Sequence, residues 1–270
     1  MRGKLVVGSV MAAALLAILS FSPSRSARAT AIVSPADASR TPVLVELFTS
    51  EGCSDCPPAD ALLEKLDRSL PVDGASVVVL SEHVDYWNDI GWSDPYSSRE
   101  FSERQAAYAE RFRLPSVYTP QMVVDGRFQL VGSDESGAVS AIEDATKAQK
   151  ASVTLSSVRW ESPNSIALHV ETGPMPPSID TKSAAVWIAA ADDTDRSSVT
   201  SGENGGRTLT HVAVLRTLVR AGIIDRSSGF SGNVSVRLNP AHARDMRLIA
   251  FIQEPAAGRV WGIALARLSN

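Results

Sequence analysis

The chain has 270 residues, with 26 Lys and Arg against 30 Asp and Glu and a formal net charge of −4. A chain that is acidic and has no basic block is a poor ligand for nucleic acid or for an anionic membrane surface. The charge pattern therefore argues against both as partners.

The first 29 residues have the order of a cleaved signal peptide. Arg2 and Lys4 precede an apolar run from Leu5 to Phe21, and Ala27-Arg28-Ala29 forms an Ala-x-Ala cleavage site. An uncleaved anchor is the alternative, but a run of ~17 residues is at the lower limit for crossing a bilayer. We expect cleavage, a linker over residues 30–40, and a periplasmic or secreted protein that is not inserted in a membrane.

Residues 41–150 alternate between strand and helix patterns. Short apolar runs predict strands and amphipathic runs predict helices, and Asp125-Gly126 is a two-residue hairpin signal. The strands are predicted at 43–48, 76–80, 121–124 and 127–131, and the helices at 57–70, 98–113 and 134–147. Strands joined by crossover helices, with an antiparallel hairpin at the edge, predict an α/β domain, a mixed sheet flanked by helices.

The two cysteines of the chain lie together in Cys53-Ser54-Asp55-Cys56, directly after the first predicted strand and before the first predicted helix. A helix N-terminus stabilises a thiolate, and the two-residue spacing lets a second thiol resolve a mixed disulfide. We therefore expect Cys53 to attack and Cys56 to resolve, with no cofactor beyond their disulfide. Asp55 brings a negative charge that should raise the pKa of Cys53 and make the site more reducing. The alternative is a structural disulfide or an inert pair of thiols.

Other polar residues near the predicted strand ends are candidate members of the site. Glu46 is a carboxyl group inside an apolar strand, where it can either take the proton of Cys56 or bond a neighbour at the sheet edge. His83, with Asp85 and Trp87 behind it, follows the second parallel strand, and ligands bind where parallel strands end. His83 is either a hydrogen-bonded loop residue, a proton donor or a metal ligand.

Residues 151–270 have a different pattern, with short alternating runs separated by turn residues. This pattern predicts a β-rich domain and favours a sandwich. Residues 209–219 are ambiguous, with strand favoured over a helical turn. Residues 202–208 lack the Gly-Lys-Ser/Thr ending of a phosphate loop and are predicted to form a flexible turn between strands. The clear strands are predicted at 152–160, 165–171, 184–190, 233–238, 246–253 and 259–266.

Several runs resemble those of a family of secreted bacterial proteins known as domain of unknown function 1223. The runs are Val45–Asp60 with both cysteines, His83–Trp87, Gly91–Pro95, Val117–Gln121 and Gly202–Thr208. The resemblance covers nearly all of the chain after the signal. It implies a thioredoxin-like superfamily member with an added β-rich part. Thioredoxin roles would make Pro120 a cis proline, after Thr119, that faces the cysteine pair and holds the substrate backbone.

Three functions follow, from different classes. The leading one is an exported thiol–disulfide oxidoreductase, whose partners are a protein thiol or disulfide substrate and a reductant. The second is a protein that binds or delivers Cu(I) or another soft metal through Cys53, Cys56 and His83, because thiolates and imidazole suit that ion. The third is a periplasmic binding protein without catalysis. The substrate, the direction of electron flow and the oligomeric state are not determined by these patterns.

Overall fold

The structure is a computed structural model that describes Gly3 and residues 40–162, 164–177, 180–238 and 245–269. Apart from Gly3, the predicted signal peptide lies outside the described residues, and so does the predicted linker before Arg40. No helix in the described part of the chain is long and apolar enough to cross a membrane.

The described residues form three helices and eleven strands. In chain order these are β1 (Thr41–Thr49), α1 (Pro57–Arg68), β2 (Ala75–His83), α2 (Arg99–Phe112), β3 (Gln121–Val124), β4 (Phe128–Val131), α3 (Glu135–Thr146), β5 (Val153–Ser162), β6 (Ser165–Thr172), β7 (Ser183–Ser198), β8 (Thr208–Asp225), β9 (Ser231–Arg237), β10 (Met246–Gln253) and β11 (Val260–Leu268).

One mixed sheet of eight strands runs through both halves of the chain, in the order β11-β10-β7-β8-β2-β1-β3-β4. β1 and β2 are parallel, and β2 meets β8 in a parallel bridge between Ser81 and Val214. The remaining neighbours in this sheet are antiparallel. A second, antiparallel sheet has the order β5-β6-β9, and its apolar side chains pack with those of β7 and β10.

The predicted fold class was wrong. Four strands that follow residue 150 extend the sheet begun by β1 and β2, so the chain is mainly β and is not a helix-flanked thioredoxin-like fold followed by a sandwich. The physical reason lies in the apolar side chains of the first half. Leu44, Leu80 and Phe101 share one buried cluster with Ile249 and Phe251, so strands from the second half provide much of their cover.

Many local elements were predicted correctly. The hairpin around Asp125-Gly126 joins β3 to β4, and both turn residues have positive φ, as a two-residue hairpin requires. The ambiguous stretch at 209–219 lies inside strand β8, as favoured. α1 packs on one face of the large sheet with Val43, Val45 and Leu47 of β1, while α2 lies on the opposite face.

Candidate functional site

Cys53 and Cys56 form a disulfide at the start of α1, with their Cα atoms 5.4 Å apart. Cys56 is the N-cap residue of that helix, and Pro57 follows at the first helical position, where a missing N–H costs nothing. Both cysteines are buried, whereas Ser54 and Asp55 between them are exposed. The strand-to-helix turn therefore places the disulfide inward and its two middle residues at the surface.

Glu51, two residues before the disulfide, is fully buried and binds side chains from three other segments of the chain. Its Oε2 accepts a hydrogen bond from Trp92 Nε1 (2.9 Å), and its Oε1 accepts one from Ser197 Oγ and one from His211 Nε2 (3.1 Å). Its backbone N–H donates to Asp94 Oδ2 (2.8 Å). Glu51 thus joins the cysteine loop to the β2–α2 loop, to β7 and to β8.

His211 on β8 lies between two carboxyl groups that flank the cysteine pair in the sequence. Its Nε2 binds Glu51, and its Nδ1 lies 3.7 Å from Asp60 Oδ2, which belongs to the first turn of α1. Burial alone would lower the pKa of His211, but Asp60 and Glu51 raise it to about 10. The site therefore contains a buried imidazolium at neutral pH.

His83, the last residue of β2, pairs with Asp94 from the β2–α2 loop. Their contact, His83 Nδ1 to Asp94 Oδ2, measures 2.7 Å, and both side chains are fully buried. Burial would raise the pKa of Asp94, but His83 and the backbone N–H groups of Glu51 and Tyr96 lower it to about 2. The His83 and His211 rings meet edge to face, with centroids 4.7 Å apart. His83 is thus close to His211, behind the cysteine loop.

A loop from the second half of the chain lies against the backbone of the cysteine loop. Asn204 is fully buried, and its Nδ2 donates to the carbonyl oxygens of Glu51 and Cys53, both at 2.9 Å. Glu203 accepts a hydrogen bond from the backbone N–H of Ser54 (3.0 Å). The segment that was predicted to be a flexible turn is therefore bonded to the backbone of the cysteine loop.

The Thr119–Pro120 peptide bond is cis, as predicted. Gly132 lies close to the side chains of both Pro120 and Ala59, so Pro120 is near the first turn of α1. Trp87 Nε1 donates to Thr119 Oγ1 (2.8 Å), and the Trp87 Cβ is next to Gly52 of the cysteine loop. These residues form one rim of the site.

Asp85, in the β2–α2 loop, lies beside α2. Its backbone N–H donates to Ser102 Oγ (3.0 Å), and its Oδ1 accepts a hydrogen bond from the same hydroxyl (2.5 Å). Asp85 therefore anchors the β2–α2 loop to the helix.

Glu46 is not at the cysteine pair. It lies on the face of β1 that packs against α2, where it accepts hydrogen bonds from Arg104 Nε (2.7 Å) and Tyr108 Oη (2.5 Å). Glu82 is beside it, and burial followed by the charge of Glu46 raises the pKa of Glu82 well above its usual value. α1 occupies the other face of the sheet. Of the two roles considered for Glu46, the structure shows the second, hydrogen bonds to neighbouring side chains.

The proposed metal ligands have other partners. Cys53 and Cys56 are joined to each other, and His83 Nδ1 is bonded to Asp94. Within the described ranges, no group of three or more His, Cys, Asp or Glu side chains is placed to hold a metal ion.

Sequence patterns did not single out Glu51, Asp60, Asn204 or His211. Glu51 and Asp60 were visible as the acids that flank the cysteines, but acids are common in such loops. His211 is one of four histidines and directly precedes the apolar run 212–215, which was the available signal. Asn204 comes from a segment that resembled a family motif without an assigned role. These residues meet because β8 lies beside β2.

Comparison with known proteins gives a family and two similar folds. No protein of curated function matches the chain. The crystal structure of protein AGR_C_4864 from Agrobacterium tumefaciens is 25% identical, with a TM-score of 0.63 over 84% of this chain and 94% of that one. HBP35 of Porphyromonas gingivalis is 15% identical, with a TM-score of 0.58 over 84% of this chain and 74% of that one, and shares the fold. Residues 44–253 match the model of the family described as protein of unknown function (DUF1223), and the chain therefore belongs to that family.

Proposed function

We propose that the chain is an exported thiol–disulfide oxidoreductase that acts on protein thiols through Cys53 and Cys56. The observation that carries this proposal is the disulfide at the N-cap of α1, backed by the buried His211 and its two carboxyl partners. A disulfide that closes a loop of two residues constrains the unfolded chain very little. A chemical role accounts better for a pair built into so polar and so buried a setting.

The proposed reaction moves two electrons and two protons. A substrate thiolate attacks Cys53 Sγ, the Cys53–Cys56 bond breaks, and Cys56 leaves as a thiolate that takes up a proton. A second substrate thiol then attacks the mixed disulfide, which releases an oxidised substrate and leaves two cysteine thiols on the protein. Run in reverse, the same steps reduce a substrate disulfide. A dithiol or disulfide partner of matching potential restores the starting state.

Two features favour a reducing potential. Pro57 and Pro58 lack N–H groups, so the first turn of α1 offers fewer donors to a thiolate than an ordinary helix start. Asp55 adds a negative charge beside Cys53, although its exposure weakens the effect by solvent screening. A less stable thiolate means a disulfide that is harder to reduce. We therefore expect a potential nearer to about −270 mV than to about −120 mV, the two ends of the range for exchange catalysts.

The test is the reduction potential of the purified protein, equilibrated in dithiothreitol buffers and read by thiol alkylation, together with its rate of disulfide exchange with a reduced test protein. We expect Cys53→Ser to abolish exchange. Given a test protein that contains a disulfide, Cys56→Ser should accumulate the mixed disulfide, because the Cys53 thiolate attacks that bond, one substrate thiolate leaves, and the resolving thiol is missing. A potential below about −300 mV would indicate a structural disulfide and favour a binding protein without catalysis. Exchange by Cys53→Ser at the wild-type rate would also overturn the proposal.

A further inference from the structure

Residues 199–207, here called the cap, connect β7 to β8 and lie against the backbone of the cysteine loop. The disulfide beside the cap is buried. Cys53 is 1% exposed and Cys56 is 0% exposed. Thiol–disulfide exchange needs direct access of a thiolate to one of the two sulfurs. In the closed arrangement that access is absent.

Asn204 is the centre of the cap, and its carboxamide is fully paired. Nδ2 donates to the carbonyls of Glu51 and Cys53, while Oδ1 accepts a hydrogen bond from Arg207 (2.8 Å). A buried amide with every bond made is held much more firmly than an exposed loop, because displacing it leaves polar groups unpaired until water or a partner replaces the bonds. The two carbonyls belong to the residues immediately around the reactive sulfur.

The edges of the cap are held by weaker contacts at the surface. Glu203 accepts from the backbone N–H of Ser54 (3.0 Å), and Ser201 Oγ donates to the carbonyl of Gly91 in the β2–α2 loop (2.7 Å). Glu203 and Ser201 are both exposed. Gly202 of the cap also packs against Gly91 and Trp92 of that loop, and Val199 is buried. Opening the cap therefore breaks this packing together with the hydrogen bonds of the cap.

We infer that the cap must move away before Cys53 can react, and that a protein substrate takes its place on the cysteine loop. Asn204 already satisfies the carbonyls of Glu51 and Cys53 as a backbone N–H of an extended substrate segment would. Glu203 satisfies the Ser54 N–H as a substrate carbonyl would. This inference builds on the proposed exchange reaction, but it concerns access to the disulfide and is tested without a physiological substrate.

The experiment measures how fast excess dithiothreitol reduces Cys53–Cys56, by quenched alkylation over time. Dithiothreitol supplies the two electrons and is released as its cyclic disulfide. We expect Asn204→Ala and the isosteric Asn204→Asp to be reduced at least about tenfold faster than wild type, which corresponds to the loss of one or two net hydrogen bonds. The matched control is Asn233→Ala on β9, whose side chain bonds His169 at the surface, and its rate should equal that of wild type.

If the Asn204 variants fail to fold, Glu203→Ala and Ser201→Ala test the same inference. Both residues are exposed, so we expect these variants to fold. Each should accelerate reduction by about two- to fivefold, since each removes one exposed hydrogen bond. Rates within twofold of wild type for every folded cap variant would overturn the inference. The result is separable from the proposed function. If the disulfide of a cap variant is reduced faster than that of wild type but the potential lies below about −300 mV, the inference about the cap stands and the proposed catalysis does not.

Discussion

At the scale of single residues, His211 supplies a positive charge behind the cysteine loop. It is buried between Glu51 and Asp60, and its pKa of about 10 means that it carries a proton throughout the physiological range. Removing one partner of a buried ion pair is costly, because the remaining charge has no compensation. His211 is therefore important for stability as well as a candidate for the chemistry.

The raised pKa of His211 predicts a pH-dependent stability. An unfolded histidine has a pKa near 6.5, so the stabilisation from His211 is fully present below that pH and is lost as the pH rises through about 10. We expect the free energy of unfolding to fall in this window, with a slope of at most about 1.4 kcal/mol per pH unit from this group. Urea denaturation at several pH values between 6 and 10 measures the slope.

The comparison that isolates His211 uses two variants. His211→Gln should lower the free energy of unfolding by about 3 kcal/mol near pH 7 and should have a flatter profile above pH 7. His169→Gln, at a surface pair with Asn233, should keep the wild-type slope. Parallel profiles for wild type and His211→Gln would show that His211 is not the titrating group.

At the scale of elements, two hairpin turns meet beside the first strand. The β3–β4 turn at Asp125-Gly126 lies against the β10–β11 turn at Gly258. Asp125 is tied to both neighbours, since Leu44 N–H donates to its Oδ1 (3.0 Å) and Val260 N–H donates to its carbonyl (2.9 Å). Lys150 also pairs with its carboxyl group. This turn therefore joins β1 to β11, across the division between the two halves of the sequence.

Gly126 is expected to be intolerant of a side chain. Its φ is +60°, and an added Cβ would lie 2.1 Å from the backbone oxygen of Gly258, which cannot rotate away. We expect Gly126→Ala to lower the free energy of unfolding by about 3 kcal/mol or more, from strain and overpacking together. Gly206 has a φ of +85° but open space around it, so Gly206→Ala should cost only about 1 kcal/mol. Equal losses in urea denaturation would contradict the contact.

At the scale of the whole molecule, the large sheet makes the two halves of the sequence depend on each other. β8 lies beside β2, and β7, β10 and β11 continue the sheet from there. Without them, β2 would become an exposed edge strand, and Leu80 and Phe101 would lose the apolar cover of Ile249 and Phe251. Glu51 and Asp60 would also lose the charge of His211.

A chain that starts at Arg40 and ends at Lys150 should therefore not fold by itself. We expect no cooperative thermal transition, together with aggregation through the uncovered edge and apolar face. Circular dichroism on heating and size-exclusion chromatography measure both properties, with the chain from Arg40 to Asn270 as the control. A monomer with a sharp transition would show that the first half is stable without the second.

The sequence by itself determined the local structure of the chain. The strand before the cysteines, the start of α1 at Pro57, the turn at Asp125-Gly126 and the bounds of α2 and α3 all depend on neighbouring residues, and each was predicted to within a few positions. The local position of Cys53 and Cys56 at a helix start followed from the same signals.

Only the tertiary structure decided which strands pair and what surrounds the disulfide. Edge strands of similar composition compete for the same neighbours. Which pairing forms depends on apolar surface contributed by distant segments. The β2–β8 bridge joins residues more than a hundred positions apart, and it brings His211 and Asn204 to the cysteine loop. Glu46 lies on the opposite face of β1, with Arg104, because a strand alternates its side chains whatever chemistry they carry.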